Sequence, residues 1–270
     1  MVPETHGILP SRTGENLFWL GRYLERAIYS VRLLRIALKK YYETEDDQDL
    51  LRDEALITLL KTLSATTGTL PGFQDDETLQ DPEKELLSLI TDTQRSGSLN
   101  HSILSFLNNA YAVRDRLSLD TWRILETISE ESQLMRGEKE LSRINRNLDT
   151  LIIKLMAFHG LNIDNMTRET TWNILNVGRF LESTQQACKT LKSMLAVKHK
   201  NEVERSILEF LLVANESLVT YRYMYRSTLE LPGTLNLLIT DELNPRSLVY
   251  LVLHIDQHMA KMPNDKDPQM

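Results

Sequence analysis

The sequence predicts an all-α protein, a multi-helix bundle that contains an internal duplication of one long-helix motif. Leu-rich segments recur with apolar residues three and four positions apart, which is the spacing of one face of an amphipathic helix. Gly and Pro are scarce, at 10 and 8 of 270 residues, and we find no clear run that alternates apolar and polar residues as a half-exposed strand would. Because the helical pattern continues along the chain, we expect a single domain over residues 1–270.

One motif occurs twice with identical spacing. The copies are Asn16-Leu-Phe-Trp-Leu-Gly-Arg-Tyr-Leu-Glu25 and Asn173-Ile-Leu-Asn-Val-Gly-Arg-Phe-Leu-Glu182, which share Asn, Gly, Arg, an aromatic residue, Leu and Glu. Each copy continues into an apolar stripe of helical spacing, so we expect each to lie on a helix. We therefore predict pseudo-repeats over about residues 11–160 and 166–262.

Periodic segments and the residues that interrupt them predict the order of the helices. We expect helices over about residues 13–42, 50–65, 82–90, 101–117, 120–135, 141–160, 168–198, 201–225 and from 244 onward. An acidic linker at 43–49 follows the first helix, and Gly68, Pro71 and Gly72 break the chain after the second. The polar tail from residue 263 is expected to fray.

Capping residues set several of these boundaries. Thr13, Ser118 and Asn244 each precede a periodic segment and have side chains that can accept from the first turn of a helix. Gly160 is predicted to end the long helix of the first half, and His159 to lie at its C-terminus, where a cation meets the negative end of the helix dipole.

Composition excludes several classes of protein. The formal net charge is −7 and the pI is about 5.5, whereas a nucleic-acid binder normally carries a basic patch. No apolar run approaches the ~20 residues that span a bilayer, and the chain begins without the pattern of a secretory signal, so we expect a cytoplasmic protein that spans no membrane. The single cysteine, Cys188, lies on the second apolar stripe and is expected to be buried.

Several short motifs, in this order along the chain, resemble the bacterial alpha-E domain family. They are Ser11-Arg-Thr-Gly-Glu-Asn16, Trp19-Leu-Gly-Arg-Tyr-Leu-Glu-Arg-Ala27, Ala157-Phe-His-Gly160, Met166-Thr-Arg168, Gly178-Arg179, Thr220-Tyr-Arg222 and Asn244-Pro-Arg-Ser-Leu248. The resemblance implies an all-helical protein encoded or fused beside circularly permuted ATP-grasp amidoligases, transglutaminase-like peptidases and a proteasome-like peptidase. It therefore implies a role in making or processing peptide or amide bonds.

The chain departs from the pattern of that family in one region. Where the family tends to have Glu and Arg ahead of a Val-Arg-Asp/Glu sequence, this chain has Asn108 and Tyr111, and Arg123 follows Trp122 where Glu is usual. An activity that needs the missing carboxylate would be lost. These departures fit a relative that binds rather than reacts.

The first motif places a group of polar and aromatic candidates on or beside one helix face: Glu15, Trp19, Arg22, Glu25 and Arg26. Two interpretations stay open. Arg22 and Arg26 can hold a carboxylate or phosphate in a pocket, with Glu15 or Glu25 orienting them. Alternatively, the charges form an interhelical salt-bridge network that fixes the register of the repeats. We favour the network, because a structural pair explains its own duplication.

The second half adds further candidates for ligand binding or docking: Arg168, Arg179, Glu182, Tyr221, Arg222, Arg226 and Arg246. Arg222 and Arg226 lie one turn apart beside Tyr221. This arrangement suits a contact surface for an anionic ligand or a partner. It also suits half-buried tyrosines with the arginines paired to Glu216 or Glu230, and we favour this structural interpretation. Arg246 adds positive charge near the start of the last predicted helix, where anions are favoured.

The sequence offers weak support for metal or cofactor chemistry. His254 and His258 have the spacing of two zinc ligands, but Asp256 between them points away from their shared face, so we expect exposed histidines and no metal site. A Gly-rich phosphate loop is absent, and no Ser occupies a strand-to-helix elbow. We expect no cofactor, and any ATP would be bound by a partner.

These observations lead to one expected function and two alternatives. We expect a helical accessory subunit of an ATP-grasp amidoligase-type system for peptide synthesis or modification, without catalytic activity of its own. Its partners would be the amidoligase-like protein and a transglutaminase-like or proteasome-like peptidase. The first alternative is an enzyme or small-molecule binder with an Arg/Glu-lined pocket for an anionic substrate. The second is a structural homo-oligomer.

Overall fold

The computed structural model describes residues 9–45, 50–226 and 228–263, and these ranges fold into helices without a β-strand. The predicted all-α fold class is confirmed. Residues 46–49 of the predicted acidic linker and the tail after residue 263 lie outside the described residues. The α-helices are α1 (Ser11–Glu45), α2 (Glu54–Thr67), α3 (Asp76–Gln80), α4 (Glu83–Thr91), α5 (Leu99–Ala112), α6 (Leu119–Gly137), α7 (Leu141–Asn165), α8 (Thr170–Met194), α9 (Asn201–Ala214), α10 (Leu218–Tyr225), α11 (Leu231–Leu235) and α12 (Leu248–Met259).

The longest helix, α1, forms the centre of the bundle. Its 35 residues extend about 50 Å at the usual rise of an α-helix. Residues 27–34 are all buried, because α2, α5, α7, α8 and α9 pack against this helix. The helix begins at Ser11, and the Pro10 carbonyl accepts the N–H of Thr13. Thr13 therefore lies inside the helix and is not the predicted cap.

Helices α1 and α8 cross where the two copies of the motif place a glycine. A Cβ on Gly21 would collide with the Leu175 carbonyl oxygen, and a Cβ on Gly178 would collide with the Phe18 carbonyl oxygen. The two contacts are reciprocal. Gly21 meets Leu175, three positions before Gly178, and Gly178 meets Phe18, three positions before Gly21. Only glycine lets two helix backbones approach this closely.

The face that α8 turns toward α1 is mostly polar, which the sequence did not predict. Its buried residues include Asn173, Asn176, Arg179, Glu182, Ser183, Gln186 and Thr190. The predicted apolar stripe is only partly buried. Leu181 is 37% exposed and Cys188 is exposed, so the prediction of a buried cysteine is wrong. A polar face can be buried here because most of its groups find hydrogen-bond partners, as described below.

The remaining helices form layers around this pair. Helix α5 packs on α1, α6 pairs with α7, and α2 contacts both α1 and α8. On the other side of the crossing, α12 packs against α8. The single cluster of buried apolar residues includes side chains from both halves of the chain. None of the helices in the described ranges is long and apolar enough to cross a bilayer.

Two predicted helix boundaries in the middle of the chain are wrong. Helix α7 continues through Gly160 to Asn165, because the buried face also continues: the Asn162 side chain is buried and donates to the Phe158 carbonyl. His159 therefore lies inside a helix and does not cap one. The predicted helix over 201–225 is two helices, since Glu216 adopts a left-handed backbone with φ of 52° between them.

The last predicted cap is also misplaced. Ser247, not Asn244, caps α12, and its hydroxyl accepts the Tyr250 N–H. Asn244 is buried in the preceding turn, where its side chain donates to the Leu237 carbonyl. The Ser118 cap is confirmed, because its hydroxyl accepts from Thr121 at the start of α6. The short helices α3 and α11 and a π-helical turn at Asn236–Thr240 were not predicted.

We expect Gly178→Ala to destabilise the protein by about 1–3 kcal/mol or more, because the new methyl group forces the two backbones apart. Gly160→Ala is the matched control. A Cβ there meets nothing within 4 Å, and alanine in a helix interior is favoured over glycine by roughly 0.5–1 kcal/mol. Denaturant unfolding of both variants measures the difference. Equal effects of the two substitutions would contradict the close crossing.

Candidate functional site

The charged residues of the two motifs exchange partners across the α1–α8 crossing. Arg22 of the first copy donates from Nε to Glu182 of the second at 2.5 Å. Arg179 of the second copy donates from Nη2 to Glu25 of the first, also at 2.5 Å. Each copy therefore supplies one arginine and one glutamate, and each pair joins the two helices rather than neighbours on one helix. This is the interhelical network that the sequence interpretation favoured.

The end of the crossing at Glu182 is closed. Arg26 binds this carboxylate with two hydrogen bonds, at 2.8 and 3.0 Å, and Gln186 donates to it at 2.7 Å. Arg22 also donates from Nη2 to the Gln185 side-chain oxygen at 2.6 Å. Burial alone would raise the pKa of Glu182, but the hydrogen bond and charge of Arg26 and the charge of Arg22 outweigh it and lower the pKa. The guanidinium groups of Arg22 and Arg26 are therefore both hydrogen-bonded to side chains of α8.

The end at Glu25 is built differently. Glu25 is 2% exposed and receives Arg179 on one oxygen, while Arg246 and the Ser183 hydroxyl contact the other oxygen at 3.4 Å each. Arg179 also donates to Asn176 at 3.0 Å. Burial would raise the pKa of Glu25, but attraction to Arg179 and Arg246 and the Arg179 hydrogen bond prevail and hold the pKa at about 2. This carboxylate is ionised across the physiological range.

A cleft of about 380 Å³ opens beside Glu25, between α8 and α12. Its polar floor is formed by Glu25, Arg179, Ser183 and Arg246. The remaining lining is largely aromatic or apolar: His159, Ile163, Trp172, Phe180, Pro245, Tyr250, Leu251, His254 and His258, with Asn176. The crossing therefore has a network of paired side chains at the Glu182 end and a lined cavity at the Glu25 end.

Three histidines line this cleft, and sequence reasoning missed their role. His254 and His258 are half-buried against α8 rather than exposed, because α12 turns this face toward Phe180. In the described part of the chain, no group of three or more His, Cys, Asp or Glu side chains is arranged to hold a metal ion. The spacing of His254 and His258 was visible in the sequence, but only the α8–α12 contact reveals what they face.

The protonation of these histidines follows from their surroundings. Burial and the neighbouring charge of Arg179 lower the pKa of His159 to about 3. Burial, followed by the charges of Lys261 and His254, lowers the pKa of His258. His258 Nδ1 lies 2.8 Å from the Asn173 side-chain oxygen, which accepts a hydrogen bond, so Nε2 of the neutral ring is left as an acceptor.

Other predicted candidates lie elsewhere. Glu15 is exposed and joins no ion pair among the described residues. Trp19 is half-buried beside the closed end, with the Arg22 guanidinium 5.9 Å from its ring centre. Arg168 binds the carbonyls at the end of α7, including Met166 at 2.7 Å, and stacks 4.0 Å over the Trp172 ring. These contacts give Arg168 a structural role at the helix end.

The Tyr/Arg segment of α10 is divided between core and surface. Tyr221 is 1% exposed and its hydroxyl accepts the Glu230 N–H at 3.0 Å, as the packing interpretation expected. Arg222 is exposed and lies 3.7 Å from Glu209, not beside the predicted Glu216, which pairs with Arg32. Arg226 is exposed just after the helix end. Tyr223, which the sequence interpretation passed over, is 80% exposed.

The departures from the family pattern also lie on the surface. Asn108 and Tyr111 are exposed on α5, and the Tyr111 ring stacks on Trp122 at 5.4 Å. Tyr111 and Trp122, with Arg114 and Asp115, line a second, shallow depression. None of these residues is among those that line the cleft beside Glu25.

Comparison with known proteins identifies the family. A family model for Alpha-E, described as a predicted alpha-helical domain with a conserved ER motif, matches residues 9–270. The chain belongs to the Alpha-E family. This Alpha-E chain has an adjacent Glu-Arg pair, Glu25-Arg26, at the α1–α8 crossing. Glu25 accepts from Arg179 at one end of the crossing, and Arg26 donates to Glu182 at the other.

Curated relatives of this Alpha-E chain are considerably longer. Uncharacterized proteins of Mycobacterium tuberculosis H37Rv and Mycobacterium bovis are each 28% identical over 272 aligned positions, which cover 96% of this chain. The same alignments cover 30% of each relative, so the chain spans less than a third of their length. No solved structure matches the chain.

We expect Glu25→Gln to cost about 3–5 kcal/mol at neutral pH, because Arg179 would stay buried without its counter-charge. The pKa of Glu25 falls from about 4.5 to about 2 on folding. Its contribution to stability is thus present above pH 4.5 and lost as the pH falls through 2, on the order of 3 kcal/mol in total.

Denaturant unfolding between pH 7 and 2 measures both effects, and the variant should lack this part of the acid dependence. Glu209→Gln is the control, because Glu209 is 48% exposed and pairs loosely with Arg222; such a pair contributes about 1 kcal/mol or less. An unchanged acid profile in Glu25→Gln would contradict the assignment.

Proposed function

We propose that this Alpha-E domain is a helical accessory subunit of an ATP-grasp amidoligase-type system for peptide synthesis or modification, and that it has no catalytic activity of its own. The observation that carries the proposal is the pairing of both glutamates of the doubled motif with arginines. Both glutamates are held by arginines from the other helix, and the pKa of each is lowered. General acid–base catalysis favours a pKa near the working pH, which neither carboxylate has.

The longer relatives support a role alongside other domains. In the mycobacterial proteins the matching region makes up 30% of the chain, so their Alpha-E domain is covalently joined to further sequence. The motifs that resemble the alpha-E family imply a neighbourhood of ATP-grasp amidoligases and peptidases. A domain of this kind would act by docking on the enzyme that binds ATP.

The exposed face of α10 is the surface that best fits such docking. Val219 and Tyr223 are each 80% exposed, and they lie one turn apart beside exposed Arg222. Arg226 extends the same face after the helix end. Tyr and Arg are enriched among the residues that contribute most to protein–protein binding, whereas an exposed tyrosine of this kind adds nothing to the core.

We expect the tagged wild-type chain to recover an ATP-grasp amidoligase-type protein from its source cells. Arg222→Ala/Tyr223→Ala should recover at least about tenfold less, because the substitutions remove the central contacts of the docking face. Quantitative mass spectrometry of the bound proteins provides the measurement.

Leu119→Ala/Arg123→Ala is the matched control on α6. Leu119 and Arg123 form a similar exposed apolar and arginine pair, one turn apart, at 80% and 79% exposure. Recovery should match that of the wild type. The proposal fails if no amidoligase-type protein is recovered by the wild type, or if both double variants lose it equally.

A further inference from the structure

We propose that the cleft between α8 and α12 binds an aromatic carboxylate, with the carboxylate held by Arg246 and the ring lying along the aromatic wall. The inference is independent of the partner role proposed above, because no residue of α10 lines the cleft. It rests on the charge of the floor, the free donors of Arg246 and the shape and chemistry of the walls.

The floor of the cleft carries an excess of positive charge. Its charged lining residues are two arginines, Arg179 and Arg246, and one carboxylate, Glu25. When the histidines are counted as neutral, one positive charge is left without a counter-charge in the lining. At the closed end of the crossing, Glu182 likewise faces Arg22 and Arg26, but that carboxylate is fully buried and receives short bonds from both guanidinium groups.

Arg246 has hydrogen-bond donors available to a ligand. Its Nη1 lies 3.4 Å from both Glu25 and Ser183, which is long compared with the usual 2.7–2.9 Å of a charge-assisted bond. Its guanidinium donates no shorter hydrogen bond to any residue in the described ranges. The side chain is 20% exposed and lines the cleft, so its remaining N–H groups can receive a carboxylate in the two-bond geometry that arginine favours.

The wall above the floor is a continuous row of rings. Tyr250 stacks on His254 at 3.8 Å, and His254 lies 5.2 Å from Phe180. Phe180 in turn stacks on His258 at 5.6 Å, and His258 lies 6.4 Å from Trp172. Such a row offers an aromatic ligand several rings for edge-to-face or offset-stacked contacts. A bare inorganic anion would leave most of this surface uncovered.

The histidines add acceptors within the same wall. His258 Nε2 is one such acceptor. His254 Nδ1 lies 2.9 Å from the Tyr250 carbonyl oxygen, which can only accept, so Nδ1 is the donor there and Nε2 remains for a ligand. A hydroxyl on the aromatic ring of the ligand would have a partner there. The volume of about 380 Å³ lies at the lower end of the range for ligand pockets and suits a molecule of one or two rings.

The test uses 4-hydroxyphenylacetate as the probe, in isothermal titration calorimetry and in NMR spectra of the histidine ring protons. We expect saturable binding with shifts of the His254 and His258 signals. The neutral isostere 4-hydroxyphenylacetamide should bind at least about tenfold more weakly, because it lacks the charge that Arg246 receives. Inorganic phosphate, which lacks a ring, should also bind more weakly than the aromatic acid.

Two variants assign the binding to Arg246. Arg246→Lys keeps the positive charge beside Glu25, and thereby the fold, but loses the planar fork, so the affinity for the acid should fall several-fold. Arg246→Gln should abolish the preference for the acid over the amide. Arg123→Gln, on the exposed surface of α6, should bind as the wild type does. Circular dichroism and thermal unfolding check that each variant is folded.

Several results would overturn the inference. One is the absence of binding heat and of histidine signal shifts up to about 10 mM of the aromatic acid. Others are equal affinity for the acid and the amide, or for the acid and phosphate. The last is an equal loss of affinity for the acid in Arg123→Gln and Arg246→Lys. None of these results bears on recovery of an amidoligase-type partner, so the two proposals can fail separately.

Discussion

The glycine contact between α1 and α8, locked by two exchanged Arg–Glu pairs, is the constraint on which the rest of the structure depends. Because Gly21 and Gly178 lack a Cβ, the backbones meet closely enough for Arg22 and Arg179 to reach the opposite helix. Five helices pack on α1, and α8 carries α12, so this crossing positions the layers on both sides. The reciprocal contacts follow the rule of an isologous two-fold interface, here formed within a single chain.

The difference between the two ends of the crossing comes from one position of the motif. The residue after the glutamate is Arg26 in the first copy and Ser183 in the second. Arg26 on α1 gives Glu182 a second arginine partner. Ser183 is uncharged, so α8 provides no second cation for Glu25. Arg246 supplies it from the segment that leads into α12. A third element is thereby drawn to the crossing, and the cleft forms where it meets α8.

Sequence patterns predicted the structure well where an apolar stripe is buried, as in α1. They succeeded only in part on α8, where Val177 and Leu191 of the predicted stripe are buried. Much of the buried face of α8 is polar, and partners of its charged residues lie on α1, distant in the sequence. Leu181 and Cys188 were placed in the core on hydrophobicity alone. Helix spacing correctly singled out the charges of the motif, but it could not reveal that each arginine pairs with the glutamate of the other copy. The cleft was not predictable, since it depends on which face α12 turns toward Glu25.

The exchanged pairs also govern the order in which the molecule can fold. They join residues 160 and 154 positions apart in the chain, and closing loops of that size costs entropy before any contact forms. Contacts of such high sequence separation are associated with slow folding. Consecutive helices such as α6 and α7 can pair early, while α1, although central, acquires its full surroundings only when α8 arrives. During synthesis the face of α1 that meets α8 therefore stays uncovered until the residues of α8 have been made, although α2 and α5 can pack on α1 earlier.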